Sequence, residues 1–271
     1  MLITALLLGA LVGLTLALTG AGGGILAVPL LVFSLRLGVA QSAPVALLAV
    51  GLAAAVGAAM GLREGRVRYR AAMVIGGAGM LLAPLGVWLA QRLPNAPLTL
   101  AFALVLAWSA RGMYLRSRAA EGVSVAPRPA APLCVRDPST GRFIWTRPCA
   151  MALASTGMVS GVLSGLLGVG GGFVIVPALT RFSDLAADSI VATSLAVIAL
   201  VSVSGVASAA AHGSVPWPVA LPFAAGAMLA LVAGRQIARR VSGPRLQRGF
   251  AGLSALVSLL LLARGLLALA A

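Results

Sequence analysis

Acidic side chains are scarce in this chain of 271 residues, which contains only five Asp and Glu in total. All five are predicted in loops or at the ends of apolar runs, so no carboxylate is expected in the middle of a membrane. A proton relay through buried carboxylates, of the usual intramembrane kind, is therefore not supported. The five acids are Glu64, Glu121, Asp137, Asp184 and Asp188.

Histidine and cysteine are also scarce, which limits the chemistry further. His212, the only histidine, is predicted at the outer surface, whereas a serine hydrolase would need a base at the depth of a serine such as Ser164. The two cysteines, Cys134 and Cys149, have no second pair and no nearby histidine to complete a metal site. We therefore expect no metal site and no catalytic residue, and we expect the cysteines to be reduced thiols in a reducing compartment.

Apolar residues make up most of the chain: 61% of it is hydrophobic, 9% is charged, and the mean hydropathy is +1.07. This is more apolar surface than a soluble core could hide, so the composition predicts a polytopic membrane protein. All 20 basic residues are arginines, and they cluster between the apolar runs to give a net charge of +15. The clusters are short and have few aromatic neighbours, which argues against nucleic acid as a partner and favours contact with anionic lipid headgroups.

A glycine run that interrupts an apolar stretch occurs twice. Residues 20–29 read Gly-Ala-Gly-Gly-Gly-Ile-Leu-Ala-Val-Pro, and residues 168–177 read Gly-Val-Gly-Gly-Gly-Phe-Val-Ile-Val-Pro. The offset of 148 between the two prolines also pairs Gly13 with Gly161, without a gap. The chain is therefore predicted to be a duplication, with a first membrane repeat at 1–118, a cytoplasmic linker at 119–148 and a second membrane repeat at 149–271.

Hydropathy predicts ten helical segments. The segment after each glycine run is short, and the 11 residues of 25–35 span only about 16 Å, or half a hydrocarbon core. If the arginine-rich loops all lie in the cytoplasm, the broken pair at 149–182 has to enter and leave on the same side, as a hairpin. The segments are 1–19, 25–35, 43–62, 71–91, 98–115, 149–167, 173–182, 189–211, 219–238 and 250–271.

Each repeat is thus predicted to be one glycine-broken hairpin plus three transmembrane helices, in an all-α polytopic fold. This arrangement crosses the membrane an odd number of times, so the second repeat is expected to be inverted relative to the first. Inverted repeats with broken helices are typical of secondary transporters, which hold their substrate near the midplane, where the repeats meet. Transport is therefore the leading functional prediction.

The glycine runs predict an anion site. Three consecutive glycines at the start of a half-helix expose backbone N–H groups where the positive end of the helix dipole also points. Two such runs, face to face at the repeat interface, would hold a small oxyanion without a buried arginine; close helix packing is the alternative explanation for the glycines. Nearby hydroxyls would add donors, and Pro29 and Pro177 are expected to mark the helix breaks. The predicted substrate-binding residues are Thr19, Gly22, Gly23, Gly24, Ser164, Gly170, Gly171, Gly172, Thr193 and Ser194.

These elements resemble the TauE/SafE family of membrane permeases, also called the toluenesulfonate uptake permease family. The resemblance rests on the two G-x-GGG-x₄-P hairpins, on Ala192-Thr193-Ser194-Leu195 and on the turn Gly213-x-Val215-x-Trp217, and it covers both repeats. It implies movement of sulfite, sulfoacetate, organosulfonates or related small anions across the bacterial plasma membrane, usually as export, and it implies no cofactor. In the first repeat Pro44-Val45-Ala46-Leu47 replaces the polar element, so the two halves are expected to contribute polar groups unequally.

Two other functions are compatible with this sequence. An accessory membrane subunit with no transport of its own would have the same composition, and flux through the purified protein in liposomes separates it from a carrier. An intramembrane enzyme is the less favoured alternative, because the only histidine is predicted at a different depth from the buried serines. The expected partners are a small anion and the lipid bilayer, and the sequence leaves open the exact anion, the direction, the coupling ion and whether the chain forms a homo-oligomer.

The predicted topology places both termini outside and residues 116–148 in the cytoplasm. In a cysteine-free background, single cysteines at Ser139 and Ser214 should therefore react with a membrane-impermeant thiol reagent from opposite faces of the membrane. Labelling of both positions from the same face would contradict the predicted inverted-repeat topology.

Overall fold

The computed structural model describes residues 2–35, 37–119, 133–135, 143, 145–241 and 244–270. Over this part, the chain forms ten α-helices and one 3₁₀ segment, with no named strand. The helices are α1 (Leu2–Thr19), α2 (Ala27–Ser34), α3 (Val39–Arg63), α4 (Tyr69–Arg92), α5 (Asn95–Ala119), α6 (Arg147–Leu167), α7 (Gly172–Phe182), α8 (Ala187–Ala211), α9 (Trp217–Val241) and α10 (Pro244–Ala270), and the 3₁₀ segment is Gly20–Leu26.

The ten helices correspond one to one to the ten predicted segments, so the all-α polytopic fold is confirmed. In the described residues, eight helices are long and apolar enough to cross a membrane, and the two shorter ones, α2 and α7, follow the glycine runs as expected. Because α1 and α6 belong to the longer group, each broken hairpin has one long limb and one short limb. Most of the predicted linker, residues 119–148, lies outside the described residues.

Helix boundaries recur at the offset of 148 residues. Helix α3 begins and ends 148 residues before α8, and α4 begins 148 residues before α9. The turns that follow α3 and α8 each contain a glycine with φ of +66°, Gly65 and Gly213, which also differ by 148. Glycine is favoured at such positions because its lack of a Cβ allows the left-handed region at little cost. The same local sequence signals therefore produce the same helix–turn–helix geometry in both halves.

Contacts between the halves are also related by this offset. A Cβ added to Gly13 of α1 would meet the backbone of Ala227 in α9, and a Cβ added to Gly161 of α6 would meet the backbone of Gly79 in α4. Exchanging the two halves converts the first contact into the second. The main partner of each long hairpin limb is thus a helix of the other half: α9 for α1 and α4 for α6.

Small residues at a spacing of four bring these helix pairs into backbone contact. Helix α6 presents Gly157, Gly161 and Gly165, where an added Cβ would coincide with carbonyl oxygens of α4. This is the packing expected between membrane helices, where small residues let backbones approach closely. Packing therefore explains these glycines of the long limbs, as the alternative in the sequence analysis proposed.

The helix directions follow from pairs of contacts. In α3, added Cβ atoms on Gly51, Gly57 and Gly61 would meet Ser202, Leu195 and Ala192 of α8 in turn, so α3 and α8 are antiparallel. The same comparison shows that α4 runs parallel to α6, because added Cβ atoms on Gly157 and Gly165 would meet the carbonyls of Ile75 and Ala83. Helix α4 also runs parallel to α8, because Gly76 faces Leu200 and the carbonyl of Met80 accepts from the hydroxyl of Ser204. Helices α6 and α8 therefore run in the same direction, and α7 returns between them, which makes α6 and α7 a hairpin.

One end of the molecule collects the end of α3 and the starts of α4, α6 and α8; we call it the arginine end and define it by residues 61–70, 147–149 and 181–188. Arg66 binds the carboxylates of Glu64 at 3.1 Å and Asp188 at 3.4 Å. The backbone N–H of Arg68 donates to the hydroxyl of Thr193 at 3.1 Å. The three described acids, Glu64, Asp184 and Asp188, all lie here, as the scarcity of mid-membrane carboxylates predicts.

The cysteines do not match their prediction. Cys134 and Cys149 form a disulfide, so the expectation of reduced thiols is wrong for this fold. Both are fully buried, and the backbone N–H of Cys134 donates to the carbonyl of Phe182 at 2.8 Å, which ties the inter-repeat segment to the ends of both limbs of the second hairpin. The arginines favour the cytoplasm for this end, whereas a disulfide persists in oxidising compartments. The labelling experiment above also shows whether this end lies in the cytoplasm, as its arginines favour, or on the oxidising side, as the disulfide favours.

The first stability prediction concerns the glycine contacts. Gly161→Ala should lower the free energy of unfolding by about 1–3 kcal/mol, because its Cβ would overlap the Gly79 carbonyl. Gly77→Ala is the matched control: it lies in α4 with nothing within 4 Å of the added Cβ, and removing a helix-interior glycine should be neutral or stabilising by up to about 1 kcal/mol. Thermal unfolding of the purified variants tests this, and equal effects at the two positions would contradict the packing model.

The second stability prediction concerns the disulfide. It joins residues 15 apart in the sequence, and closing a loop of that size stabilises a fold by about 3 kcal/mol in the chain-entropy model. Adding a reductant should therefore lower the unfolding temperature of the purified protein. A Cys134→Ser, Cys149→Ser double variant should already have the lower temperature and should not respond to the reductant. A wild-type protein that is also insensitive would show that the bond contributes nothing.

Candidate functional site: where the two glycine runs meet

The two glycine runs lie next to each other in the interior, at the level where α3 crosses α8. An added Cβ on Gly24 would lie 2.9 Å from Val50 Cγ1 and 3.3 Å from the carbonyl oxygen of Val169. An added Cβ on Gly170 would lie 2.8 Å from Ile198 Cγ2 and 3.2 Å from Val50 Cγ1. All these residues are buried. The structure thus brings the two runs together, and the atoms nearest to these glycines are uncharged.

The two runs have different backbones, although their sequences match glycine for glycine. The first is the 3₁₀ segment, which folds back on α1 so closely that a Cβ on Gly23 would meet the backbone of Leu16. The second has three glycines in the left-handed region: Gly168, Gly170 and Gly171, with φ of +72°, +74° and +71°. The two runs therefore do not present equivalent backbones, because the first run is wound into a 3₁₀ helix of its own.

The open helix start is that of α7. Gly171 is its N-cap residue and has no side chain to cap the first turn, and its carbonyl accepts from the N–H groups of Val174 at 3.0 Å and Ile175 at 3.2 Å. In any α-helix the first N–H groups have no intrahelical acceptor, which leaves those of Gly172 and Phe173 directed out of the helix start. The positive end of the helix dipole lies at the same place. This helix start is therefore suited to an anion or another acceptor.

One hydroxyl of α6 lies beside this helix start, and a second lies one turn further along α6. Ser160 donates to the carbonyl of Gly171 at 3.3 Å, and a Cβ added to Gly171 would coincide with the Ser160 hydroxyl. Ser164, one turn further along α6, is fully buried, and its Oγ has no hydrogen-bond partner within the described part of the chain. An unpaired buried hydroxyl costs about 1–3 kcal/mol, so a ligand oxygen or water that pairs with Ser164 would stabilise this region.

The remaining predicted hydroxyls have partners within the protein. Thr19 donates to the carbonyl of Thr15 at 2.7 Å, and Ser194 donates to the carbonyl of Ile190 at 2.7 Å, so both bond back to their own helices. Thr193 accepts from Arg68 at the arginine end. Thr193 lies five residues from Ile198 along α8, or about 7.5 Å. The hydroxyl donors of Thr19 and Ser194 are therefore used within their own helices. Gly22 lies in the 3₁₀ segment, and its surroundings fall outside what the structure describes.

The two prolines do not mark the helix breaks, and that prediction is wrong. Pro29 lies within α2 and Pro177 within α7. The bond that a proline cannot donate would go to the residue four positions earlier. For Pro29 that residue precedes α2, and for Pro177 it is Phe173 in the first turn of α7, so both helices continue past their proline. The breaks fall at the glycines themselves.

Sequence reasoning missed the two side chains that separate the glycine runs from the rest of the core, Val50 and Ile198. Both are fully buried and contact Gly170 from α3 and α8. A signal for them was available, because the offset of 148 pairs Val50 with Ile198. Apolar residues in a membrane protein give no other sign of a role, so the sequence pattern favours the polar residues Thr193 and Ser194 instead.

Comparisons with known proteins agree with one another. A family model described as "Sulfite exporter TauE/SafE" matches residues 5–261. A protein of Xylella fastidiosa strain Temecula1, described as a "Probable membrane transporter protein", is 30% identical over 241 residues, which is 88% of this chain and 85% of that protein. A protein of strain 9a5c with the same description is 29% identical over 242 residues, with the same two coverages. No solved structure matches.

Proposed function

The chain belongs to the TauE/SafE family of membrane transporters, and on that premise we propose that it moves small sulfur-containing anions, such as sulfite or organosulfonates, out of the cell. It is a multi-pass bacterial membrane protein, and the transporter family argues against an enzyme. The substrate class and the direction rest on the description of the family as sulfite exporters. The proposed binding group is the start of α7 together with Ser164.

The observation that carries this proposal is the meeting of the glycine runs at the buried start of α7. Backbone N–H groups and a helix dipole, equivalent to about half an elementary charge, attract an oxyanion in a site of low dielectric. A buried arginine would attract it more strongly, but it would also hold it, and a carrier has to release its substrate. Because the first glycine run is a 3₁₀ segment, the anion would be bound mainly by the second hairpin, with Gly24 allowing the close approach of the first.

An inverted duplication is part of the proposal. The antiparallel contact of α3 with α8 and the exchange of contacts between the halves support a two-fold axis perpendicular to the helices, in the plane of the membrane. Such an axis relates the two faces of the membrane, which is the geometry that secondary transporters use for alternating access. The glycine runs lie beside this axis, at the level where α3 and α8 cross.

The test is flux through the purified protein in liposomes, with sulfite, sulfoacetate, taurine, sulfate and thiosulfate offered in turn. Wild type should move sulfite or an organosulfonate, and Gly171→Ala should abolish that flux, because its Cβ would occupy the Ser160 hydroxyl position and displace the start of α7. Gly213→Ala is the matched control. Its φ of +66° imposes about the same backbone strain of 1–3 kcal/mol, but its Cβ would meet nothing within 4 Å.

Two results would contradict the proposal in different ways. Equal flux through Gly171→Ala and Gly213→Ala would contradict the proposed binding site at α7 but not the proposed transport function. Absence of flux for every anion in folded wild-type protein would instead favour the accessory-subunit alternative. Circular dichroism and elution as a single species establish that each variant is folded before its flux is compared.

A further inference from the structure

A long apolar groove lies outside the site described above, between α3, α4 and α8. Its volume is about 640 Å³, and apart from the hydroxyls of Ser202 and Tyr69 its lining is apolar. Several wall residues are strongly exposed, among them Met73 and Val203 at 63% each. Small side chains make the groove concave. They are Gly51, Ala55, Ala58 and Ala59 on α3, Ala72 on α4, and Ala199 on α8.

The length of the groove matches an extended hydrocarbon chain. Along α3 it runs from Leu47 to Leu62, which is about 22 Å at the rise of an α-helix. One leaflet of a bilayer is about 15 Å of hydrocarbon. The groove thus continues from the arginine end past the midplane. A single acyl chain entering from the leaflet at that end would fill it lengthwise.

The charge at one end of the groove indicates what the chain is attached to. Leu62 and Tyr69, which line that end, are next in sequence to Arg63 and Arg70. The two ion pairs formed by described residues of this loop both belong to Arg66, and neither Arg63 nor Arg70 forms an ion pair with a described carboxylate. The guanidinium of Arg70 lies 6.0 Å from the centre of the Tyr69 ring, at the entrance. This end is therefore complementary to an anionic headgroup.

The duplication supplies an internal comparison. The turn related to 63–69 by the offset is 211–217, where Trp217 replaces Tyr69 and no arginine is present. The walls on α3 and α8 are related by the same offset, as in Ala55 with Val203 and Ala59 with Ala207. The two walls of the groove are therefore related by the repeat, whereas the arginines follow only the wall on α3. Hydropathy alone does not require the arginines at this position.

From this geometry we propose that the groove binds one acyl chain of an anionic phospholipid, whose phosphate is held by Arg63 and Arg70. Guanidinium groups bind phosphate oxygens through charge-assisted hydrogen bonds, often in pairs. The aromatic ring of Tyr69 lies at the level of the headgroup, as aromatic side chains do at membrane interfaces. The lipid would then cover the contact between α3 and α8, the helices that cross beside the glycine runs.

The experiment measures bound lipid and thermal stability of the purified full-length protein in detergent. Phosphatidylglycerol should raise the unfolding temperature, and phosphatidylcholine with the same acyl chains should raise it much less. Native mass spectrometry should show one retained phosphatidylglycerol. Ala59→Phe, which fills the groove, should lose most of both effects, and Arg63→Gln with Arg70→Gln should lose the preference for the anionic lipid. Ala255→Phe is the matched control, because Ala255 is also exposed but lies on α10, away from the groove.

Three outcomes would overturn the proposal. Equal shifts with the two lipids would mean that the arginines do not select a headgroup. Unchanged lipid retention in Ala59→Phe would place the lipid elsewhere. A wild-type dimer that Ala59→Phe converts to a monomer would mean that a second copy of the chain covers the groove. None of these outcomes depends on flux, so the result is independent of the proposed transport function.

Discussion

The contact on which the rest of the structure depends is glycine against backbone between the two halves. Gly13 lies on the backbone of Ala227, and Gly161 lies on that of Gly79. In lipid, helices gain little from burying apolar side chains, and association depends on close packing and on hydrogen bonds. These glycines permit that packing, and each long hairpin limb is held mainly by a helix of the opposite half. The short limbs and the glycine runs take their positions from limbs fixed in this way.

Matching sequences adopt two conformations at the glycine runs because glycine leaves the choice to the surroundings. In the first half the chain winds into a 3₁₀ segment against Leu16, and in the second it passes through the left-handed region at Gly170 and Gly171, beside Ser160. Glycine populates both regions with similar ease, so a small difference in packing decides between them. The two halves therefore differ in backbone at the glycine runs, and the proposed anion site draws mainly on the second run.

The sequence was sufficient for the helices and for the hairpins. Backbone groups in lipid have to be satisfied within each segment, so length and hydropathy determine the helices, and the repeat locates the breaks. The disulfide was not predictable, because Cys134 lies in an irregular segment whose distance from Cys149 depends on tertiary contacts. At the candidate site, Thr193 accepts a hydrogen bond from the backbone of Arg68, a partner 125 residues away in sequence. Propensities and spacing carry no information on such pairs.

The pairing of α1 with α9 has a consequence for how the protein is made. Helix α1 is synthesised first, and the ribosome adds nearly 200 further residues before α9 begins at Trp217. At 5–20 residues per second this takes on the order of ten seconds or longer. During that time the backbone of α9 that Gly9 and Gly13 contact in the folded protein has not been synthesised. The glycine face of α1 is therefore exposed to lipid. The packing of the nascent chain therefore remains incomplete until α9, its penultimate helix, is made. An amino-terminal fragment would lack the helix that packs against its first hairpin.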